Sequence, residues 1–117
     1  MKIKNDLDFG DKFKQTPKDV LENAGNELSI PCVPPDGYPT PTVEWYKDSQ
    51  FLNIDGERIK WENNVLTFTE LRDSDKGYYM CQAENAAGKL SSPAILVRVQ
   101  SKSENYYRLC SPYNSVF

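Results

Sequence analysis

Two carboxylates close in sequence, Asp73 and Asp75, and three cysteines, Cys32, Cys81 and Cys110, are the residues of this chain whose types could do chemistry. Paired carboxylates can serve as acid and base or can hold calcium. The competing role is a turn residue plus a structural ion pair with Arg58. The rest of the catalytic repertoire is missing. The chain has no histidine, which removes Ser-His-Asp and Cys-His nucleophile systems as well as histidine-based zinc sites. The cysteines form no Cys-x-x-Cys pair, which argues against structural zinc. No glycine-rich phosphate loop occurs. The chain by itself is expected not to be an enzyme, and no metal or cofactor is implied.

The cysteines carry more information about architecture than about reactivity. Cys32 and Cys81 lie 49 positions apart with Trp45 between them, and Tyr79 sits two positions before the second. That pattern identifies a two-sheet sandwich stapled through its centre, in which one cysteine from each sheet bridges the core and the tryptophan packs on the sulfurs. Closing a loop of about 50 residues removes denatured-state entropy worth roughly 4 kcal/mol. That is comparable to the net stability of a small domain.

The totals agree with one small ordered domain. The chain has 117 residues, a formal charge of −3 and a sequence pI of about 4.9. Its 14 basic residues are dispersed, whereas a surface that tracks phosphates needs a stripe of them, so no nucleic-acid partner is expected. Aromatics make up 12%, which points to ordered structure. No apolar run approaches the roughly 20 residues that span a bilayer, so this segment is not expected to enter a membrane. The start also lacks the apolar core of roughly 7–15 residues found in export signals. An oxidised domain without such a signal is a contradiction. Its simplest resolution is a piece of a larger protein, with a cytoplasmic home as the alternative.

Strand signals fill the middle of the chain. Residues 1–11 read as a tail or linker, 12–100 as the domain, and 101–117 as a tail or the start of a next segment. Phe13 opens a first strand that Pro17 splits, so that each half can join a different sheet. Leu28, Ile30 and Cys32 point inward from one alternating run, and Val43 and Trp45 from the next. Asp55-Gly56 and Asn63-Asn64 mark turns on either side of a short strand, Arg58 to Trp61. Leu66, Phe68, Leu71, Tyr79, Cys81 and Ala83 continue the inner face, and Ile95, Val97 and Val99 close it. Asn85-Ala86-Ala87-Gly88 reads as a hairpin turn, with Gly88 suited to a positive φ. Turn signals roughly every 8–12 residues and the lack of a helical stripe give an all-β, antiparallel sandwich.

Three motifs make the resemblance specific: Asp75-x-Gly77-x-Tyr79-x-Cys81, Gly37-Tyr38-Pro39-Thr40-Pro41-Thr42-Val43-Glu44-Trp45, and Asn85-x-x-Gly88. Over residues 13–100 the chain resembles an immunoglobulin-superfamily domain of the intermediate set (I-set). The resemblance implies an immunoglobulin-like two-sheet sandwich with one inter-sheet disulfide, Cys32–Cys81. It also implies that Tyr79 forms a tyrosine corner, its hydroxyl bonding backbone near Leu71 to Asp73, and that Arg58 pairs with Asp75. With Asp75 so explained, the structural role is preferred over acid–base or calcium chemistry. The segments Phe13 to Pro17 and Pro34 to Pro39 resemble the second domain of Roundabout-type axon-guidance receptors, and domains of contactin- and neuroglian-type adhesion molecules.

That resemblance implies an extracellular or cell-surface recognition module within a larger receptor. Its partners would be a homophilic or heterophilic cell-surface protein and neighbouring immunoglobulin-like domains. The rival is a structural domain of a titin-like intracellular muscle or cytoskeletal protein, usually with reduced cysteines. A third reading is the immunoglobulin module of a receptor kinase or a matrix protein. The chain has no Asn-x-Ser/Thr acceptor, which favours an intracellular or naturally unglycosylated domain. Strand parity puts Tyr46, Tyr78 and Met80 outward on neighbouring strands, as a possible binding face. Phe51 and Trp61 are expected on the other side or in a connecting strand, packed on the sandwich rim. The Pro34–Pro41 loop is read as an ordinary turn, and Cys110 as a thiol that is free, bonded to another molecule, or paired in a following domain.

Overall fold

Alternation of apolar and polar side chains dictates two faces per strand, and the chain stacks the apolar faces of two sheets. The computed structural model describes residues 7–101. Residues 1–6 and the candidates Tyr106, Tyr107, Cys110 and Tyr113 lie outside the described residues. In chain order the strands are β1 (Asp8–Phe9), β2 (Val20–Asn23), β3 (Leu28–Pro31), β4 (Gly37–Tyr38), β5 (Thr42–Lys47) and β6 (Gln50–Phe51). They continue with β7 (Ile59–Glu62), β8 (Val65–Phe68), β9 (Gly77–Asn85), β10 (Gly88–Ser91) and β11 (Ile95–Gln100). One 3₁₀ turn, η1, covers Asp73–Asp75.

One sheet runs β2-β11-β9-β5-β6, with β10 also on β9, and the facing sheet runs β3-β8-β7. Every named pairing is antiparallel except β2 with β11, which is parallel. The core between the sheets holds Leu28, Ile30, Cys32, Trp45, Leu66, Phe68, Leu71, Tyr79, Cys81, Ile95 and Val97, with Val43 and Val99 packed at its margin. Ala83 is buried too. Leu52 and Ile59 join this core. Cys32 and Cys81 are disulfide-bonded.

The split first strand is present in reduced form. From Phe13 to the buried Pro17 the chain pairs beside β3 through a bridge between Gln15 and Val33, joined by the Lys14 amide donating to the Val33 carbonyl at 3.0 Å. After it, β2 joins the other sheet along β11. Residues 8–10 fall in the stretch read as a tail, yet they are paired. β1 lies antiparallel to β4 inside the proline-rich loop, and the Gly10 amide donates to the Asp36 carbonyl at 2.8 Å. Two residues are too few to show an alternation, so this strand left no periodic signal.

Turn chemistry fixes the register. Asp48 and Ser49 have φ of 49° and 68°, and Asn63 and Asn64 have 53° and 63°. Positive φ at both central residues is the conformation whose twist suits two-residue hairpins. Gly88 departs from expectation, since the positive-φ glycines are Gly25, Gly56 and Gly77. What Gly88 supplies is space: a Cβ there would come within 2.6 Å of the Phe9 ring. The turn before it is held by the Asn85 side chain, whose Oδ1 accepts from the amides of Ala87 (2.8 Å) and Gly88 (3.1 Å).

The Asp55-Gly56 turn is held in the same way. Asp55 Oδ1 accepts the backbone N–H groups of Glu57, Arg58 and Ile59 at 2.9–3.0 Å. These donors, Ile59 and then Glu57 foremost, hold its carboxyl below the usual carboxylate range. The folded-state pKa is thus the lower one, so the stabilisation is present above the unfolded pKa and lost as pH falls through the folded value.

Two predictions follow from these turns. Gly88→Ala should destabilise the domain by about 1–3 kcal/mol through overpacking, and by much less when Phe9 is also Ala. Urea unfolding of the four-member cycle measures the coupling, and additive costs would refute the Phe9 contact. For Asp55→Asn, the wild-type advantage in urea midpoint at pH 7 should shrink as pH drops below about 4. A gap that ignores pH would mean that the carboxylate charge does not hold the turn.

Candidate protein-binding face

Burial of Trp45, Tyr79, Cys81 and Ala83 on one side of β5 and β9 forces Tyr46, Tyr78 and Met80 to the other side. The register then brings them together. Tyr46 lies directly opposite Met80 across the β5–β9 ladder, and Tyr78 is the next outward residue along β9. Tyr46 and Met80 are half-buried, while Tyr78 is 58% exposed. Phe51, expected on the other side or in a connecting strand, lies on the short β6 and belongs to this face. It pairs with Tyr46 from β6, and their rings meet edge to face with centroids 6.0 Å apart. The hairpin at Asp48-Ser49 is too short to carry Phe51 off the sheet. On the other flank Leu96 of β11 lies opposite Tyr78. The result is an apolar strip that crosses four strands of one sheet, from Phe51 to Leu96.

Trp61 stands apart from this strip. It reaches inward from β7 and meets Trp45 edge to face at 5.8 Å. Its role is to pack at the margin of the core.

Below the strip, the signature residues form a polar lock. Arg58 donates to both carboxylate oxygens of Asp75, Nη1 to Oδ2 at 2.8 Å and Nη2 to Oδ1 at 2.9 Å. The Arg72 amide donates to the same Oδ2 at 2.7 Å, and Arg58 Nη1 also donates to the Glu70 carbonyl at 3.2 Å. Hydrogen bonding to Asp75 raises the guanidinium pKa above its ordinary value, and burial opposes this. The Tyr79 hydroxyl donates to the Asp75 carbonyl at 2.5 Å, so the acceptor lies beyond the Leu71–Asp73 stretch that the resemblance implied. Burial, and next the nearby Asp75 charge, push that phenol well above its ordinary pKa.

With three donors on its two oxygens, the Asp75 carboxylate is fully engaged as a structural group. Asp73 is exposed and pairs with Lys76 at 3.5 Å. Among the described residues no group of three or more Asp, Glu, Cys or His side chains could hold a metal ion. Gly77, with φ of 151°, sits where a Cβ would come within 2.9 Å of both Asp48 carboxylate oxygens. Asp48 Oδ1 accepts the Tyr78 amide at 2.9 Å, and the Asp48 amide donates to the Tyr78 carbonyl at 2.7 Å. Asp48 thus anchors the lower edge of the exposed face. Its only sequence signal is an Asp-Ser pair between two apolar runs.

Asn85 ties down the opposite end. Beyond its turn contacts, its Nδ2 donates to the carbonyls of Asp8 (2.7 Å) and Pro39 (2.8 Å). One side chain therefore joins β1, the proline-rich loop and the β9–β10 turn.

Asp75→Asn should cost about 2–3 kcal/mol, because it leaves the mostly buried guanidinium without its countercharge. Arg58→Lys should cost less, since Lys keeps the charge but loses the fork. Equal denaturation midpoints for wild type and Asp75→Asn would show that the pair carries no net stability.

Comparison with known proteins matches this geometry. The model of the immunoglobulin I-set domain matches residues 11–97. Roundabout homolog 1 of Rattus norvegicus is 38% identical over 89 residues, covering 76% of this chain and 5% of that protein. The chain therefore spans a small fraction of the length of such relatives. Among solved structures, the N-terminal Ig1-2 module of the Drosophila receptor protein tyrosine phosphatase DLAR superposes with a TM-score of 0.74 at 27% identity, covering 83% of this chain and 48% of that one. The complex of titin M10 with an obscurin-like 1 Ig mutant matches at 33% identity and a TM-score of 0.70, covering 77% of this chain and 92% of that one. With the motif residues, the stapled two-sheet core and the family match in agreement, the chain belongs to the immunoglobulin I-set family.

Proposed function

We propose that this domain is an extracellular recognition module of a multidomain cell-adhesion or axon-guidance receptor. The observation that carries the reading is 38% identity to Roundabout homolog 1 over 76% of the chain. The exposed strip from Phe51 through Tyr46 and Met80 to Tyr78 supports it, since aromatic residues and methionine are enriched at the centres of protein interfaces. The mechanism is non-covalent docking of a protein on strand faces and end loops. The disulfide core keeps those surfaces in one arrangement, so little conformational entropy is lost on binding. Neighbouring immunoglobulin-like domains of the same receptor would adjoin its two ends. The domain performs no covalent chemistry in this reading.

The match to the titin M10 complex favours a second reading, a structural domain of an intracellular muscle or cytoskeletal protein. Redox state separates the two, because disulfides persist in oxidising compartments and are rare in the cytosol. Acid-trapped thiol alkylation and peptide mass spectrometry on protein from its native cell should find Cys32 and Cys81 joined. Alkylation of both as free thiols would replace the receptor reading with the muscle-type one. The state of Cys110 in the same experiment reports whether it has a covalent partner.

A further inference from the structure

Residues 8–10 lie as a strap in a slot at one end of the sandwich, and three glycines give that slot its shape. The Phe9 ring fills the space over Gly88, where a Cβ would come within 2.6 Å of it. Gly37 lies opposite Phe9 in the β1–β4 pairing, and a Cβ on Gly37 would come within 2.8 Å of the Asp8 carbonyl oxygen. Gly10 lies against the proline-rich loop, where its own Cβ would come within 3.0 Å of Pro35. Polar groups fix the backbone that runs between them. Asn85 Nδ2 donates to the Asp8 carbonyl at 2.7 Å, and the Asp36 carbonyl accepts the Gly10 amide at 2.8 Å. The Asp36 carboxylate is taken by Lys14. The slot thus reads an extended segment by its backbone, by one aromatic ring, and by a glycine directly after the ring.

The strap is bound to the fold only at this end. Phe9 is not among the side chains packed on the core between the sheets. The family match begins at residue 11, after the strap. β1 has two residues, both half-buried. A segment held by so few contacts opens at low cost while the stapled core stays folded. Opening leaves the Asp36 carbonyl without its donor, frees an Asn85 N–H and bares the space over Gly88.

From this arrangement we propose that the slot is a peptide-binding site closed by an internal strap. Residues 8–10 fill it in the resting molecule. An extended segment of a partner protein, carrying an aromatic residue followed by glycine, takes their place. Main-chain bonds hold such a segment, and the space for one side chain supplies selectivity. The strap acts as a tethered competitor. A short tether gives it a high effective concentration, so only a partner that engages further surface displaces it. The slot goes beyond the recognition-module reading and would serve in either redox compartment, so the state of Cys32 and Cys81 does not decide it.

The test is an NMR titration of the isotope-labelled full chain carrying Cys110→Ser, which removes adventitious covalent pairing, with a blocked peptide copying residues 7–11. The amides of Gly37, Ala87 and Gly88 and the Asn85 side-chain amide report on the slot. In Phe9→Ala, which removes the ring of the strap, saturable shifts are expected there with a dissociation constant on the order of 1 mM. The parent should bind at least about tenfold more weakly, because its strap is in place. Phe9→Ala/Gly88→Ala puts a methyl group in the space for the ring and should lose at least about tenfold in affinity relative to Phe9→Ala. A peptide with alanine in place of its phenylalanine should not bind. Dispersed spectra show that each variant is folded. Unmoved signals in folded Phe9→Ala up to about 10 mM peptide overturn the proposal. So do equal affinities of the parent and Phe9→Ala, or binding untouched by Gly88→Ala. Dimerisation of the parent that Phe9→Ala abolishes would assign the slot to the strap of a second copy, and likewise overturns a foreign segment as its occupant. These failures leave the recognition-module reading standing. That reading falls separately, if Cys32 and Cys81 are reduced in the native cell.

Discussion

The bond between Cys32 and Cys81 joins the two sheets at their centre, and the aromatic packing around it determines which way every neighbouring side chain points. Cys32 follows β3 in one sheet, Cys81 lies in β9 of the other, and their Cα atoms are 6.8 Å apart. Trp45 is the cross-strand partner of Cys81, so the indole is delivered to the bridge by register alone. Phe68 and Tyr79 then meet edge to face across the core at 5.8 Å, as do Trp45 and Trp61. Each such ring pair contributes about 0.5–1.5 kcal/mol beyond the area it buries. Trp45 Nε1 meets no hydrogen-bond partner among the described residues, which costs about 1–3 kcal/mol. The indole stays because its burial and ring contact offset that cost. Once these rings are inside, period-two geometry leaves Tyr46, Tyr78 and Met80 nowhere to go but outward.

The same parity explains what was legible in the sequence. Leu28, Ile30, Cys32, Trp45, Leu66, Phe68, Tyr79 and Cys81 could be assigned to the core because alternation reports the face of a strand directly. Alternation does not report which strand lies alongside. The placement of Phe51 was therefore left between the other side and a connecting strand, although a hairpin as tight as Asp48-Ser49 returns the chain to the same sheet beside Tyr46. β1 escaped for a different reason: its partners are a loop and a side chain far away in sequence. Asn85 and Asp8 are separated by 77 positions, and nothing local to either announces the bond. Gly88 shows how a correct residue can carry a wrong reason, since glycine serves close approach as well as positive φ.

The two ends of the sandwich obey one rule. Where strands stop, backbone donors and acceptors lose their ladder partners and must be satisfied by side chains. Asn85 does this at one end with four hydrogen bonds, to the amides of Ala87 and Gly88 and the carbonyls of Asp8 and Pro39. At the other end the Asp75 carboxylate accepts from Arg72 and Arg58, while its carbonyl accepts from Tyr79. The Asp75 lock belongs to a recognisable motif, so the pairing with Arg58 was anticipated while the acceptor of Tyr79 was not. A resemblance transfers residue types well, and transfers individual acceptors only as well as the local loop is alike.

Closing both ends and the centre in this way leaves the outward strand faces outside the contacts that hold the fold, and their limited area shapes how they can be used. A face of a few hundred square ångströms cannot reach tight binding alone once translational entropy is lost. It can be effective when several weak contacts are linked in one molecule, because the second contact then forms at high effective concentration. Rigidity matters more than area under those conditions. The edge-to-face contact of Tyr46 with Phe51 and the half-burial of Met80 restrict their rotamers before any partner arrives. Each contact then costs less ordering.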